Sequence, residues 1–205
     1  KIIGVNKIKE ISYSVMFDRI EAGTYLVAAA VTEGNLKIQN INPKIIVDLG
    51  CGSGRHCELF AKYNYDIFGC DVSSKSISIT KNRLKKFNID SSHFVKSFSN
   101  DLPYESNSFN YVLAWHSIYY NTFENMVLSI KEISRILNKN GLAFITIMAP
   151  SDSRLKNSKL ISKNTFSGTN KIKDHSGITF SYLTKSQAEK LFQKYKFAKF
   201  RIYIQ

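Results

Sequence analysis

The sequence predicts an α/β fold: one doubly wound, Rossmann-like, mostly parallel sheet with helices on both faces. Three observations predict it. Short β-branched or aromatic runs alternate with stretches of helical periodicity. The first run empties into a turn with glycine at three alternate positions. An acid closes the second run, 23 positions after an acid in the first. Such alternation gives right-handed βαβ units and a parallel sheet covered on both sides. The 205 residues, 43% apolar and 22% charged, suffice for a single domain with a full core.

KIIVDL (44–49) is the first buried parallel strand. A glycine-rich turn and a helix from about Arg55 to Tyr63 follow. YDIFGC (65–70) is the second strand. Ser73 is an N-cap, and Ile77, Leu84 and Phe87 recur at near-helical spacing. HFVK (93–96) and FNYVLAW (109–115) are the third and fourth strands. Thr122 opens an amphipathic helix with Met126, Ile130, Ile133 and Leu137 on one face, and Asn140-Gly141 signals its end. LAFITIM (142–148) is the fifth strand. Thr184-x-x-Gln187 is a capping box before a further helix, and Phe200, Ile202 and Ile204 alternate in a last strand. Residues 151–176 are polar and basic, and too long for an ordinary connection.

The net charge is +13, of which residues 151–205 carry +9. Such asymmetry marks an anionic partner or a general drift toward Lys. Cys51, Cys57 and Cys70 form no CxxC pair and have no Cys/His ligand spacing, so neither a disulfide framework nor a metal site is expected. No apolar run reaches the length of a membrane span, and the first residues lack the apolar stretch of a signal peptide. A reduced, cytoplasmic protein is the expectation.

The strongest signal is Val47-Asp48-Leu49-Gly50-Cys51-Gly52-Ser53-Gly54. Its glycines let the backbone turn sharply and pass close to a ligand. The next helix adds the positive end of its dipole. Asp71, ending the second strand, stands where an acid pairs with ribose hydroxyls. The motif reads GxGxG rather than GxGxxG, and Asp48 precedes it. That carboxylate repels a pyrophosphate but holds the ammonium of a methionine moiety, which favours S-adenosylmethionine (SAM) over NAD. No GxxxxGK[ST] occurs, which excludes a P-loop nucleotidase.

VDLGCGSGRH followed by FGCDVSSKSI resembles the class I SAM-dependent methyltransferases. DLPYESNSFNYVLAWHSIYYN and EISRILNKNGLAFITI are similar to the small-molecule branch that includes ubiquinone-biosynthesis and tellurite-resistance type enzymes. The resemblance covers about 40–150 and, weakly, 177–204. Members of the fold finish with a strand hairpin, so that hairpin is expected to be shortened or truncated here. The resemblance implies a single SAM-methyltransferase domain over 1–205, with residues 1–40 as an N-terminal helical cap and 151–176 as a basic insert near the active site. It places Asp48, Gly50, Gly52 and Gly54 along the methionine part of the cofactor. Asp71 falls on the ribose, Val72 on the adenine, and Trp115 at the methionine end. Phe98 stands where the family carries an adenine-contacting acid, so that contact is lost or moves to Ser99, Asn100 or Asp101. Tyr13 and Phe17 either cover the cofactor or pack in the core.

Methyl transfer from a sulfonium is an in-line displacement that chiefly needs alignment and exclusion of water. A base is needed only where the acceptor sheds a proton early. His116 is a base or a cofactor contact, Tyr120 a hydrogen-bond partner of the acceptor or plain packing, and His175, beside Asp174, a base or a solvated loop residue. The expected partner is a small-molecule acceptor methylated at oxygen, anionic or linked to a sugar or nucleotide if the insert folds over the site. Nucleic acid is disfavoured, because Leu113-Ala114-Trp115-His116 stands where amino-methylating nucleic-acid enzymes carry Asn/Asp-Pro-Pro-aromatic. The alternatives are an RNA methyltransferase using the basic C-terminal quarter, and a non-catalytic SAM-binding module.

Overall fold

In the computed structural model the described residues are 45–169 and 176–197. The chain divides into two compact units, Lys1–Asn42 and Pro43–Gln205, and all that follows concerns the second. Five strands form a wholly parallel sheet: β1 (Ile45–Leu49), β2 (Asp66–Asp71), β3 (Phe94–Lys96), β4 (Phe109–Ala114) and β5 (Leu137–Ile145). Their order is β3-β2-β1-β4-β5. The direction of winding therefore reverses between β1 and β4, the switch point at whose carboxyl side folds of this class bind their ligands. Burial explains the near-continuous apolar runs: Val47, Leu49, Ile67, Val112 and Ala114 are all closed to solvent.

Helices cover both faces. Helix α1 (Arg55–Lys62) and α2 (Ser74–Leu84) pack in the cluster built on Ile46, Cys57, Ile67 and Phe94. Helix α3 (Phe123–Ile136) buries Met126, Ile130, Ile133 and Ile136 in the larger cluster on the other face. The caps are those read from the sequence. Ser73 Oγ accepts from the Ser76 amide at 3.2 Å and Thr122 Oγ1 from the Asn125 amide at 3.2 Å. The capping box of Thr184 and Gln187 closes in both directions.

Two local readings are corrected. Helix α3 does not run to Asn140-Gly141. It ends at Ile136, because Leu137 turns extended and pairs with Phe109 as the first residue of β5. Regular pairing resumes only at Tyr111 with Leu142, so 138–141 bulge outward. Gly141 serves that bulge: a Cβ there would stand 2.9 Å from the Asn110 carbonyl oxygen and 2.8 Å from Leu137 Cδ1. Asn110 in turn accepts the Ile45 amide on Oδ1 at 3.1 Å, which ties the start of β1 to β4.

The basic stretch 151–176 is also more than a connection. It holds a short helix α4 (Ser153–Lys156) and strands β6 (Ser158–Ser162) and β7 (Thr165–Gly168). With β8 (Thr179–Ser181) these strands form a three-stranded antiparallel sheet in the order β6-β7-β8. Helix α5 (Lys185–Lys194) follows. The expected last strand, Phe200 to Ile204, lies outside the described residues. So do residues 1–44, with Tyr13, Phe17 and the expected helical cap. Among the described residues, no helix is long and apolar enough to cross a membrane.

Candidate functional site

The site grows from the turn after β1. The amides of Gly50 and Cys51 both donate to the Cys70 carbonyl, at 2.8 and 3.0 Å, so the loop closes over the end of β2. Gly50, Gly52 and Gly54 have φ of 75°, 54° and 75°, the left-handed region that only glycine enters cheaply. Helix α2 fixes the outer side of the loop. Thr80 Oγ1 donates to the Gly52 carbonyl at 2.9 Å, and Arg83 Nε donates to the Ser53 carbonyl at 2.7 Å. Arg83 and Lys86 also grip Glu58 of α1, and their hydrogen bonds hold its carboxyl down at about 2.

Asp71 closes the loop from the β2 side. Its Oδ2 accepts from the Gly52 amide at 2.9 Å and its Oδ1 from the Ser73 amide at 2.8 Å. A carboxylate has about four acceptor positions, so each oxygen retains capacity for a ribose hydroxyl. Val72 beside it is 54% exposed, and Phe98 is 61% exposed. The Ser97 amide donates to the Asp71 carbonyl at 3.1 Å, which brings the turn at 98–101 next to that carboxylate. Ser99 turns its hydroxyl to Ser129 of α3, at 2.8 Å.

Asp48 is buried beneath the loop. Its Oδ2 accepts from Cys57 Sγ at 3.6 Å and faces His56 Nδ1 at 3.7 Å. The Asp48 carboxylate beside it outweighs desolvation and the nearby Arg55, and raises the His56 imidazole above its ordinary value. A His raised in the folded state stabilises below its unfolded value, and that stability fades as pH rises through the folded one. The melting-temperature gap between wild type and His56→Gln should therefore be widest below pH ~6.5 and close on the alkaline side. Because His56 is partly exposed, the gap is worth under about 1 kcal/mol, or roughly 1–3 °C. A gap that stays constant from pH 5 to 8 would exclude the pairing.

Beyond β4 the chain folds back on itself. Ser117 lies against Gly50, where an added Cβ would stand 2.5 Å from the Ser117 Cβ. The Ser117 hydroxyl is buried and has no hydrogen-bond partner among the described residues. His116 is a non-glycine residue at φ 49°, held by its amide donating to Thr146 Oγ1 at 2.6 Å. Backbone of this kind collects at functional sites. His116 Nδ1 shares a hydrogen bond of 2.5 Å with the Tyr119 hydroxyl. Burial pushes that phenol up to about 12, against the pull of Arg154, so it stays protonated at neutral pH.

The antiparallel sheet reaches this stretch directly. The Ser181 amide donates to the Tyr119 carbonyl at 2.8 Å, and the Phe123 amide to Thr165 Oγ1 at 2.9 Å. Arg154 Nη1 donates to the Tyr120 hydroxyl at 3.0 Å, and its guanidinium lies 5.4 Å from the Tyr119 ring centre. Arg154 also donates from Nε and Nη2 to both carboxylate oxygens of Asp152, at 2.9 and 2.6 Å. Its charge is thus already compensated. Of the other insert cations, Lys163 lies over the Phe123 ring, while Lys171 and Lys173 lie outside the described residues.

Four segments therefore converge at the carboxyl side of the sheet: 50–56, 71–73, 97–101 and 114–121. His175 lies outside the described residues. Sequence reasoning passed over Ser117 and His56, although both adjoin motifs it used: His56 follows the glycine loop by two residues, and Ser117 follows His116.

Comparison with known proteins agrees with this geometry. Residues 46–141 match a family described as "Methyltransferase domain". Over that stretch, just under half of the chain, the sequence is similar to a methyltransferase domain, and the fold is that of the class I SAM-dependent methyltransferases. The YcgJ protein of Bacillus subtilis superposes with a TM-score of 0.60 at 14% identity, over 87% of this chain and 68% of that one. A SAM-dependent methyltransferase from Methanosarcina mazei gives 0.60 at 16% identity, over 76% and 81%. At these identities the likeness is one of fold.

The curated relatives are different. A UDP-N-acetylglucosamine 1-carboxyvinyltransferase of Pelagibacter ubique is 74% identical over 46 residues, which is 22% of this chain and 11% of that protein. One from Legionella pneumophila is 30% identical over 173 residues, or 82% and 32%. The chain thus spans between a tenth and a third of the length of these relatives.

For a methyltransferase domain of this fold the implied cofactor is SAM. The site fits it on three counts. Gly52 has no heavy atom within 4 Å of where its Cβ would stand. The Asp71 carboxylate borders that space, and the unpartnered Ser117 hydroxyl lies against Gly50 at the opposite strand end.

Proposed function

We propose that the domain transfers the methyl group of SAM to the oxygen of a small-molecule acceptor. The open space over Gly52, between Asp71 and the end of β4, carries this reading. The 50–54 loop supports the methionine part, with Asp48 holding the loop from beneath. Asp71 accepts from the ribose hydroxyls, while Val72 and Phe98 offer apolar faces to the adenine. The backbone at Trp115 and the Ser117 hydroxyl border the methionine end.

When bound, SAM supplies a methyl group already activated on sulfur. The residues of the chain therefore act mainly by alignment and exclusion of water. His116 and Tyr120 face the acceptor and orient its hydroxyl, and His116 takes the proton where the acceptor must lose one. Arg154 fixes the Tyr120 hydroxyl. Because Asp152 neutralises it, it contributes little net attraction for an anionic acceptor.

The methyl-transfer reading draws on residues 43–205 alone. Calorimetric titration with S-adenosylhomocysteine, SAM and NAD tests it. Micromolar binding of the first two without NAD is expected. Absence of S-adenosylhomocysteine binding to folded protein would overturn the enzyme reading.

A further inference from the structure

Trp115, at the carboxyl end of β4, lays its ring on Phe144 of β5, with centroids 5.4 Å apart and planes 23° from parallel. Both rings stay open to solvent, Trp115 at 40% and Phe144 at 56%. The pairing of Leu113 with Phe144 and Tyr111 with Leu142 puts these side chains on one face of the sheet. An imidazole stands at each side of the indole: His116 at 4.8 Å and 72°, and His56 at 6.4 Å and 80° between ring centres. Through His56 the shelf adjoins the glycine loop, and through His116 it adjoins the turn after β4.

We propose that this aromatic shelf is the acceptor subsite, and that it takes an uncharged planar ring. The inference rests on the methyl-transfer reading and adds the chemical class of its acceptor. Aromatic faces attract a flat ring by offset or edge contact, worth about 0.5–1.5 kcal/mol beyond the area covered. The two imidazoles then meet the polar edge of that ring as hydrogen-bond partners. Arg154, the insert cation that reaches the turn after β4, is occupied by Asp152 and Tyr120. The size of the shelf also selects its occupant. With Leu142 at 46% exposure, three half-open side chains offer roughly 300 Å². A stable contact with a second copy of the chain needs about 800 Å² on each side. One ring of the acceptor fits; a protein surface does not.

Trp115 is the single tryptophan of the chain, so its emission reports on the shelf alone. The test titrates protein saturated with S-adenosylhomocysteine with three probes, exciting the indole selectively. These are p-cresol, 4-hydroxybenzoate (the same ring with a carboxylate) and glucose 6-phosphate. Saturable quenching by p-cresol is expected, at least fivefold tighter than either charged probe. Phe144→Leu keeps the apolar bulk of the strand but removes the ring, and should weaken p-cresol at least threefold. Absence of p-cresol binding, preference for a charged probe, or an unaltered Phe144→Leu response would each overturn the proposal. So would an emission change that follows protein concentration instead of probe, since a second copy would then occupy the shelf. Calorimetry with S-adenosylhomocysteine on the same wild-type sample separates this failure from failure of the cofactor reading.

Discussion

Gly52→Ala should destroy cofactor binding while leaving the fold standing. The added methyl meets no protein atom within 4 Å, so its cost to the free protein is that of a left-handed alanine, roughly 1–2 kcal/mol. A domain of this size then melts about 2–8 °C lower. The same methyl projects into the space assigned to SAM, and affinity for S-adenosylhomocysteine should fall at least about 30-fold, or roughly 2 kcal/mol. Gly50→Ala makes the contrast. Its Cβ would stand 2.5 Å from the Ser117 Cβ, at φ 75°, so the turn after β4 must move. That variant should lose considerably more thermal stability than Gly52→Ala. Calorimetry and melting curves on the two variants decide the matter. Binding within threefold of wild type in Gly52→Ala would show that the cofactor does not pass over this residue.

Asp71→Ala should be comparably severe by a different route. The carboxylate holds two backbone amides of the site, those of Gly52 and Ser73, before any ligand arrives. Each hydrogen bond to a charged group is worth about 1.5–3 kcal/mol. Losing both, together with the ribose contacts, should weaken S-adenosylhomocysteine about 100-fold or more. Asp71→Asn keeps one acceptor oxygen of the same shape and should lose about tenfold. Equal losses in the two variants would mean that the charge carries the whole effect and the retained shape contributes nothing. Binding within twofold of wild type in Asp71→Ala would remove Asp71 from the cofactor site altogether.

The parallel half of the fold was legible because its signals are local and agree with one another. A largely buried strand such as Ile45–Leu49 shows as a short apolar run led by β-branched residues, and Gly50, Gly52 and Gly54 are needed where φ turns positive. Asp71 was legible for the same reason, since a fixed βαβ unit sets its distance from the loop. The antiparallel sheet was not legible. Strand β6 exposes Leu160 and Ile161 as well as its polar residues, so it shows no inside-outside alternation. Asn140-Gly141 misled because local helix-ending chemistry lost to strand pairing four residues earlier. The Arg154 contact with Tyr120 spans 34 positions, and nothing in either segment announces it. Phe144 read simply as one more residue of a buried strand, and only the register beside Trp115 shows it to be open.

The antiparallel sheet also bears on how such a protein changes over generations. Its strands satisfy one another through their own ladder. It meets the stretch after β4 through a few bonds: Ser181 to Tyr119, Phe123 to Thr165, and Arg154 to Tyr120. The cofactor loop, by contrast, is fixed from the other side, by Asp71, Thr80 and Arg83. Substitutions in the sheet can therefore reshape the wall around Tyr120 without touching the groups that hold the loop. Inheritance can conserve one half of the chemistry while the other half drifts toward new acceptors.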